Sequence, residues 1–329
     1  MKRNTLKRIF FLLAIMMVLN LVNLFAGGSQ ARRDGTGEFP SRPITLIVHM
    51  APGGGTDAVS RAVARFSANY LGVEMIIDNR PGGGQAVGNT FFSRQPPNGY
   101  TIAVWGPSGT TVLPLLQRVE YDPLVDQTAI GGVSNQRLGL FVGRDSPIQT
   151  FYDFVRFAQA NPGQTVATTG VNGFGDLTVR LLNIRHNTNL IPVPYASAGE
   201  ALLAVMGGET IAATNSTGAS MAQIEAGTIR PLIVFANERD PMLPEVRTAR
   251  EMGFDIALNN YIGFAVPAGT DPARIRVLEN FLLRLPNNPE FVELMTNLGF
   301  TVDPMGAEEF HNFIASEIDI IREIIQATN

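Results

Sequence analysis

The chain has 329 residues, 45% hydrophobic and 16% charged, with a net charge of −4, the composition of a soluble globular protein of about two domains. It contains no cysteine, which excludes disulfides, thiol catalysis, thiolate metal sites and a lipid-anchored lipoprotein. Its only lysines are Lys2 and Lys7, so the remainder has no P-loop lysine, Schiff-base lysine or lysine general base.

Lys2, Arg3, Lys7 and Arg8 precede an apolar run over 9–22 broken only by Asn20, and Ala26, Gly27 and Gly28 supply small residues after it. This is the pattern of a secretory signal peptide over 1–28, cleaved near Gly28, with 29–38 as a flexible leader. Loss of those four positive charges takes the net charge from −4 to −8, which argues against nucleic acid as a partner.

From Ile44 onward strands and helices alternate. A strand is expected over 44–50, a helix over 57–71, a strand over 74–78, a helix over 86–94, a strand over 100–105 and a helix from Ser108 to Leu116. Strands over 129–133 and 138–142 follow. The pattern restarts with a helix over 150–159, a strand over 166–169 and a helix over 177–184. Next come a strand at 190–193, a helix at 197–206, a strand at 211–214, a helix at 218–226 and a strand at 230–235. A strand at 261–266 and helices at 271–285 and 307–328 close the chain. Repeated βα units imply an α/β protein in two similar halves, each a mainly parallel sheet flanked by helices.

Two junctions stand out. Pro52, Gly53, Gly54, Gly55 and Thr56 run from the first strand into a helix opened by Asp57. In the second half, Asn172, Gly173, Phe174 and Gly175 run into a helix opened by Asp176. Free N–H groups of a glycine loop and first helical turn converge on one spot and attract an anion. The bland alternative, a plain strand-to-helix turn, weakens because three successive glycines carry an entropy cost and because the device occurs twice. Ligands of open α/β sheets sit at the carboxyl ends of the strands, where both loops lie. The loop at 79–84 reads more simply as a turn. Ser108, Tyr195, Ser197, Asn215 and Ser216 stand at further helix starts where they could meet a ligand or merely cap. His49 could touch a ligand at the end of the first strand; Trp105 reads as core. Asp57 and Asp176 read as caps rather than catalytic acids. No catalytic group, metal cluster or cofactor motif is expected.

The ordered segments F-P-S-R-P-I-T-L-I-V, A-P-G-G-G-T-D, D-N-R-P-G-G-G, P-N-G-Y-T-I, Y-D-P-L-V-D, V-P-Y-A-S-A-G-E-A-L, G-G-E, I-E-A-G-T-I-R-P-L, L-P-E-V-R-T and F-A-V-P-A-G-T resemble the substrate-binding proteins of tripartite tricarboxylate transporters, the Bug family. The resemblance runs from Phe39 to the C-terminus. It implies a two-lobed periplasmic binding protein of type II-like fold with the ligand cleft between lobes, one lobe from 39–141 plus 261–329 and the other from 142–260. It implies hinges near 140–144 and 259–262, a small di- or tricarboxylate gripped between Pro52–Asp57 and the second glycine loop, and delivery by a monomer to membrane permease subunits. Family members that bind amino acids are expected to carry an acidic residue where Asn215 stands, so a plain carboxylate is favoured. A secreted enzyme acting on an anionic substrate, or a partner that presents its ligand to a sensor protein, are the alternatives.

Overall fold

Short β-branched runs bounded by glycine or proline form strands, and amphipathic stretches between them form covering helices. The computed structural model describes residues 39–169, 173–254 and 260–328. The expected signal peptide and leader, together with Gly170, Val171 and Asn172, lie outside the described residues.

In chain order, β1 (Ile44–Val48) enters α1 (Gly55–Arg65) and α2 (Ser67–Leu71). β2 (Met75–Asn79) leads through the 3-10 turn Gly83–Gln85 to α3 (Ala86–Ser93). β3 (Thr101–Trp105) leads through a π turn, Ser108–Val112, to α4 (Leu113–Leu116) and then β4 (Gln127–Gln136). The second half comprises β5 (Leu138–Gly143), α5 (Phe151–Ala160), β6 (Thr165–Thr169), α6 (Phe174–His186), β7 (Ile191–Tyr195), α7 (Ala198–Met206), β8 (Ala212–Ser216), α8 (Thr217–Glu225) and β9 (Ile229–Val234). The chain returns through β10 (Asn260–Pro267), α9 (Pro272–Arg284), α10 (Pro289–Asn297), β11 (Thr301–Met305) and α11 (Ala307–Thr328).

The strands form two sheets, ordered β11-β4-β10-β3-β1-β2 and β7-β6-β8-β5-β9. Read from β4 and from β9, the two share one pattern: fourth strand, odd strand, third, first, second. The expected parallel ladders join β1 to β2 and β3, and β6 to β7 and β8. The odd strands, β10 and β5, run antiparallel to both neighbours, so each sheet is mixed rather than mainly parallel. The reason is topological: each is the first strand after a crossing between sheets, and enters its sheet in the reverse sense. β11, a second returning strand, pairs antiparallel with β4 at the edge.

The change of sheet lies at Arg137, because Leu138 already pairs with Ser216 of the second sheet; an expected boundary after Phe141 would cut β5. That pairing also places the carboxyl ends of β4 and β8 side by side. The carboxyl edges of both sheets, with the loops leaving them, therefore meet at the crossing.

Helices cover both faces of each sheet. Adjacent residues of β4 point oppositely: a Cβ at Gly131 would approach Leu282 of α9, and one at Gly132 would approach Phe310 of α11. In the second sheet, Leu140, Val166 and Ile233 pack with α5 and α6, while Phe141, Ala167 and Val234 pack with α7. α11 serves both halves. Its Phe310, Ile314 and Ile318 join the core of the first sheet, and its Ile321 and Ile324 join that of the second. Each such fully buried side chain contributes about 1.5–3 kcal/mol.

Candidate functional site

α1 and α6 leave equivalent strands of equivalent sheets, and their first turns match position for position. The N-cap is glycine in both, Gly54 (φ −80°, ψ 167°) and Gly173 (φ −73°, ψ 172°), and neither helix has a side-chain cap. An aspartate follows three residues later, Asp57 and Asp176, and each meets an arginine one turn on: Arg61 Nε at 2.9 Å and Arg180 Nε at 3.2 Å. Five other helices carry side-chain caps. α5, α7, α8, α9 and α10 are closed by Thr150, Ser197, Ser216, Asp271 and Asn288. α3 grows out of its 3-10 turn, so that Val87 N–H reaches back to Gly82 O. Among the described residues no acceptor takes the first-turn N–H groups at the two glycine junctions, each set at the positive end of a helix dipole.

The first loop is built for close approach. Gly53 sits at φ +91°, a conformation glycine adopts without strain, and Pro52 to Gly55 are exposed. Asp57 is 2% exposed, with its carboxylate turned inward. Oδ2 accepts from Gly53 N–H and Arg61 Nε, and Oδ1 accepts from Asn79 Nδ2. Burial pushes its pKa up, but the hydrogen bonds from Arg61, Gly53 and Asn79 outweigh that and hold it below the ordinary value. Only the backbone of Asp57 is therefore offered to a ligand.

The remaining expected residues divide by what their side chains already do. Phe174, 4% exposed, points into the core cluster of α5 and β5; as the first residue of α6 it presents its N–H to the mouth and its ring to the interior. Gly175 lies where a Cβ would be 2.8 Å from Thr214 Oγ1. Asn215 is internally committed: Oδ1 accepts from Ser216 N–H and Nδ2 donates to Ala198 O. Ser216 and Ser197 cap α8 and α7. Tyr195 directs its hydroxyl to Glu209, at 3.4 Å, along the sheet and away from the carboxyl edge. Thr56 and Ser108 differ, because neither hydroxyl has a hydrogen-bond partner among the described residues. Arg61 was not anticipated, and the sequence reads Asn79 only as the start of the turn at 79–84. Nothing local ties Asn79 to the first junction, because its partner Asp57 stands 22 residues earlier.

The turn before β11 brings the two halves together here. A Cβ on Gly55 would lie 2.8 Å from the Phe300 ring, and one on Gly218, in the first turn of α8, 1.9 Å from Gly299 O. Two surface hollows of about 530 and 650 Å3, beside Met206 and beside Phe91, share no residue with either glycine junction. Among the described residues no group of three or more His, Asp or Glu could hold a metal, and no helix is long and apolar enough to cross a membrane.

His49 does not reach the mouth. It is 1% exposed beneath α3, where a Cβ on Gly88 would be 2.7 Å from its Cδ2. Neither ring nitrogen has a hydrogen-bond partner. Burial lowers its pKa to about 3. The unfolded chain then takes up this proton near pH 6.5 while the folded chain refuses it, so stability falls as pH drops from about 6.5 toward 3. The slope is at most about 1.4 kcal/mol per pH unit from this group. His49→Met should hold stability at pH 7 and show a shallower decline between pH 6.5 and 4 in urea denaturation. Equal slopes in the two proteins would refute the assignment.

The sequence model of the tripartite tricarboxylate transporter family receptor matches residues 59–329. A relative from Cupriavidus necator, "UPF0065 protein in gbd 5'region", is 28% identical over 306 residues, covering 93% of this chain and 92% of its own. "Protein BugT" of Bordetella pertussis is 26% identical, covering 88% and 90%. Among solved structures, a TctC solute binding protein from Polaromonas superposes with a TM-score of 0.82 at 25% identity, covering 88% of this chain and all of that one. MatC from Rhodopseudomonas palustris, solved with bound malate, gives 0.70 at 24% identity over 87% and 100%. A second R. palustris protein, solved with adipate, gives 0.73 at 22% identity over 88% and 98%.

Proposed function

Because the chain belongs to the tripartite tricarboxylate transporter family of receptors, we propose that it captures a small dicarboxylate outside the cytoplasm and delivers it to the permease subunits of such a transporter. The observation that carries the reading is the matched pair of uncapped helix N-termini, α1 and α6, at facing carboxyl edges. Each offers one carboxylate several N–H donors and about half a positive charge. The N–H groups of Gly55, Thr56 and Asp57 form one jaw, shaped by Pro52, Gly53 and Gly54. Those of Phe174, Gly175 and Asp176, after the N-cap Gly173, form the other. The hydroxyls of Thr56 and Ser108 select among ligand backbones. Malate and adipate, bound by two proteins of this fold, have two carboxylates each.

Among the described residues the arginines nearest the junctions, Arg61 and Arg180, are already paired with Asp57 and Asp176. A third carboxylate is therefore uncompensated, and an ammonium finds Asn215 already engaged. Two lobes, one around each sheet, close as a monomer in the periplasm, and the ligand leaves unchanged.

Thermal-shift and calorimetric titration with malate, adipate, citrate and aspartate test this. At a hundredfold excess over Kd a dicarboxylate adds about 2.7 kcal/mol, a rise of roughly 5–10 °C in Tm, while citrate and aspartate do far less. Stabilisation by aspartate alone would overturn the ligand class. Chemical conversion of any of the four would overturn binding without catalysis.

A further inference from the structure

We propose that Asn79, the last residue of β2, is a positioning residue that holds the α1 jaw in its anion-accepting shape through Asp57. This rests on the dicarboxylate reading above. A single amide uses every polar atom it has. Nδ2 donates to Met50 O at 3.0 Å and to Asp57 Oδ1 at 2.8 Å, and Oδ1 accepts from Arg61 Nη2 at 3.0 Å. Asp57 Oδ2 in turn accepts from Gly53 N–H at 2.9 Å. The loop between β1 and α1 is thereby tied at both ends, at Met50 by its carbonyl and at Gly53 by its N–H, to one pair of side chains. Gly53 at φ +91° and Gly54 after it have no apolar group within reach of a Cβ, the Phe300 ring meeting only Gly55, so this network sets where the jaw's donors point.

Among the described residues the second half shows no equivalent brace. β2 and β7 hold corresponding places, Asn79 beside Val48 and Tyr195 beside Thr169. Tyr195 turns to Glu209 instead, leaving Asp176 with Arg180 alone among the described side-chain pairs. The α1 jaw is thus a preformed anchor for one carboxylate, and adjustment to ligand length falls to the α6 side. Preorganised donors gain affinity by cutting the cost of ordering on binding.

Asn79→Ala, Asp57→Ala and the double variant test the proposal by titration with malate and adipate. Asn79→Ala should weaken both ligands by the same factor, roughly tenfold, because the anchor and not the length-sensing jaw has changed. In the Asp57→Ala background the same substitution should change affinity less than twofold, since the residues act as one unit. Hydrogen exchange without ligand supplies a second reading: the Gly53 amide should exchange at least tenfold faster in Asn79→Ala while β6 and α6 amides do not change. Additive losses, unequal losses for the two ligands, or unchanged Gly53 exchange would each overturn it. A parent protein that binds neither acid would sink the functional reading instead, with the exchange result still deciding the role of Asn79.

Discussion

Gly54→Asp should abolish dicarboxylate binding while making the protein more stable. Gly54 is the N-cap of α1 with ordinary extended angles, and its nearest neighbour for a new Cβ is Ala51 O at 3.9 Å, so the fold accepts the side chain. An aspartate there folds over the first turn and accepts from the N–H groups of Thr56 and Asp57, as N-cap side chains do. It supplies in cis the carboxylate that the ligand would bring. Capping and the helix dipole together add about 0.5–1 kcal/mol, and affinity should fall at least a hundredfold, about 2.7 kcal/mol. Urea denaturation and calorimetric titration on one preparation measure both. An undiminished affinity would show that these donors do not hold the ligand; a loss of stability would show that the first turn is not open.

The largest stability effect is expected at Phe310. Its ring is fully buried, edge-on to Trp105 with centroids 6.3 Å apart and beside Tyr261 at 5.8 Å. Two glycines on adjacent strands make room for it: a Cβ on Gly263 would stand 2.2 Å from the ring and one on Gly132 3.1 Å. Phe310→Ala empties that socket and should cost about 3–5 kcal/mol. Gly263→Val should also destabilise, because the ring cannot retreat and Gly131 O lies 2.6 Å from the new Cβ on the other side. A loss below about 1 kcal/mol for Phe310→Ala in urea denaturation would mean that the socket collapses.

The βα rhythm and both glycine junctions can be read along the chain because their signals are local: apolar runs, then glycine, then a helix start. What depends on distant partners cannot. The reversed sense of β5 and β10 follows from the route of the chain between sheets, which no run of residues states. α10 and β11 escape sequence reading for local reasons. α10 lies between prolines and asparagines that read as a turn, and β11 is a half-exposed edge strand carrying Pro304, where proline argues against a strand. At the candidate site, glycine marks where backbone is open to close approach but not which side chains are already engaged. Asn215, Ser216 and Tyr195 stand at ligand-like positions, yet Ala198, the first turn of α8 and Glu209 claim them. Phe174 beside a glycine loop resembles a contact residue until the helix phase turns it inward.

The final helix constrains how the protein can move. About 33 Å long at 22 residues, α11 is rooted at Phe310 and Ile314 in one core and at Ile321 and Ile324 in the other. A free swing about Arg137 and the return strand would pull one of those anchors out of its core. Such anchoring favours shear, small slides of packed side chains along the stripe of α11, over a free hinge. α11 is thus a tie across the two cores, made by apolar side chains that lie outside both glycine junctions.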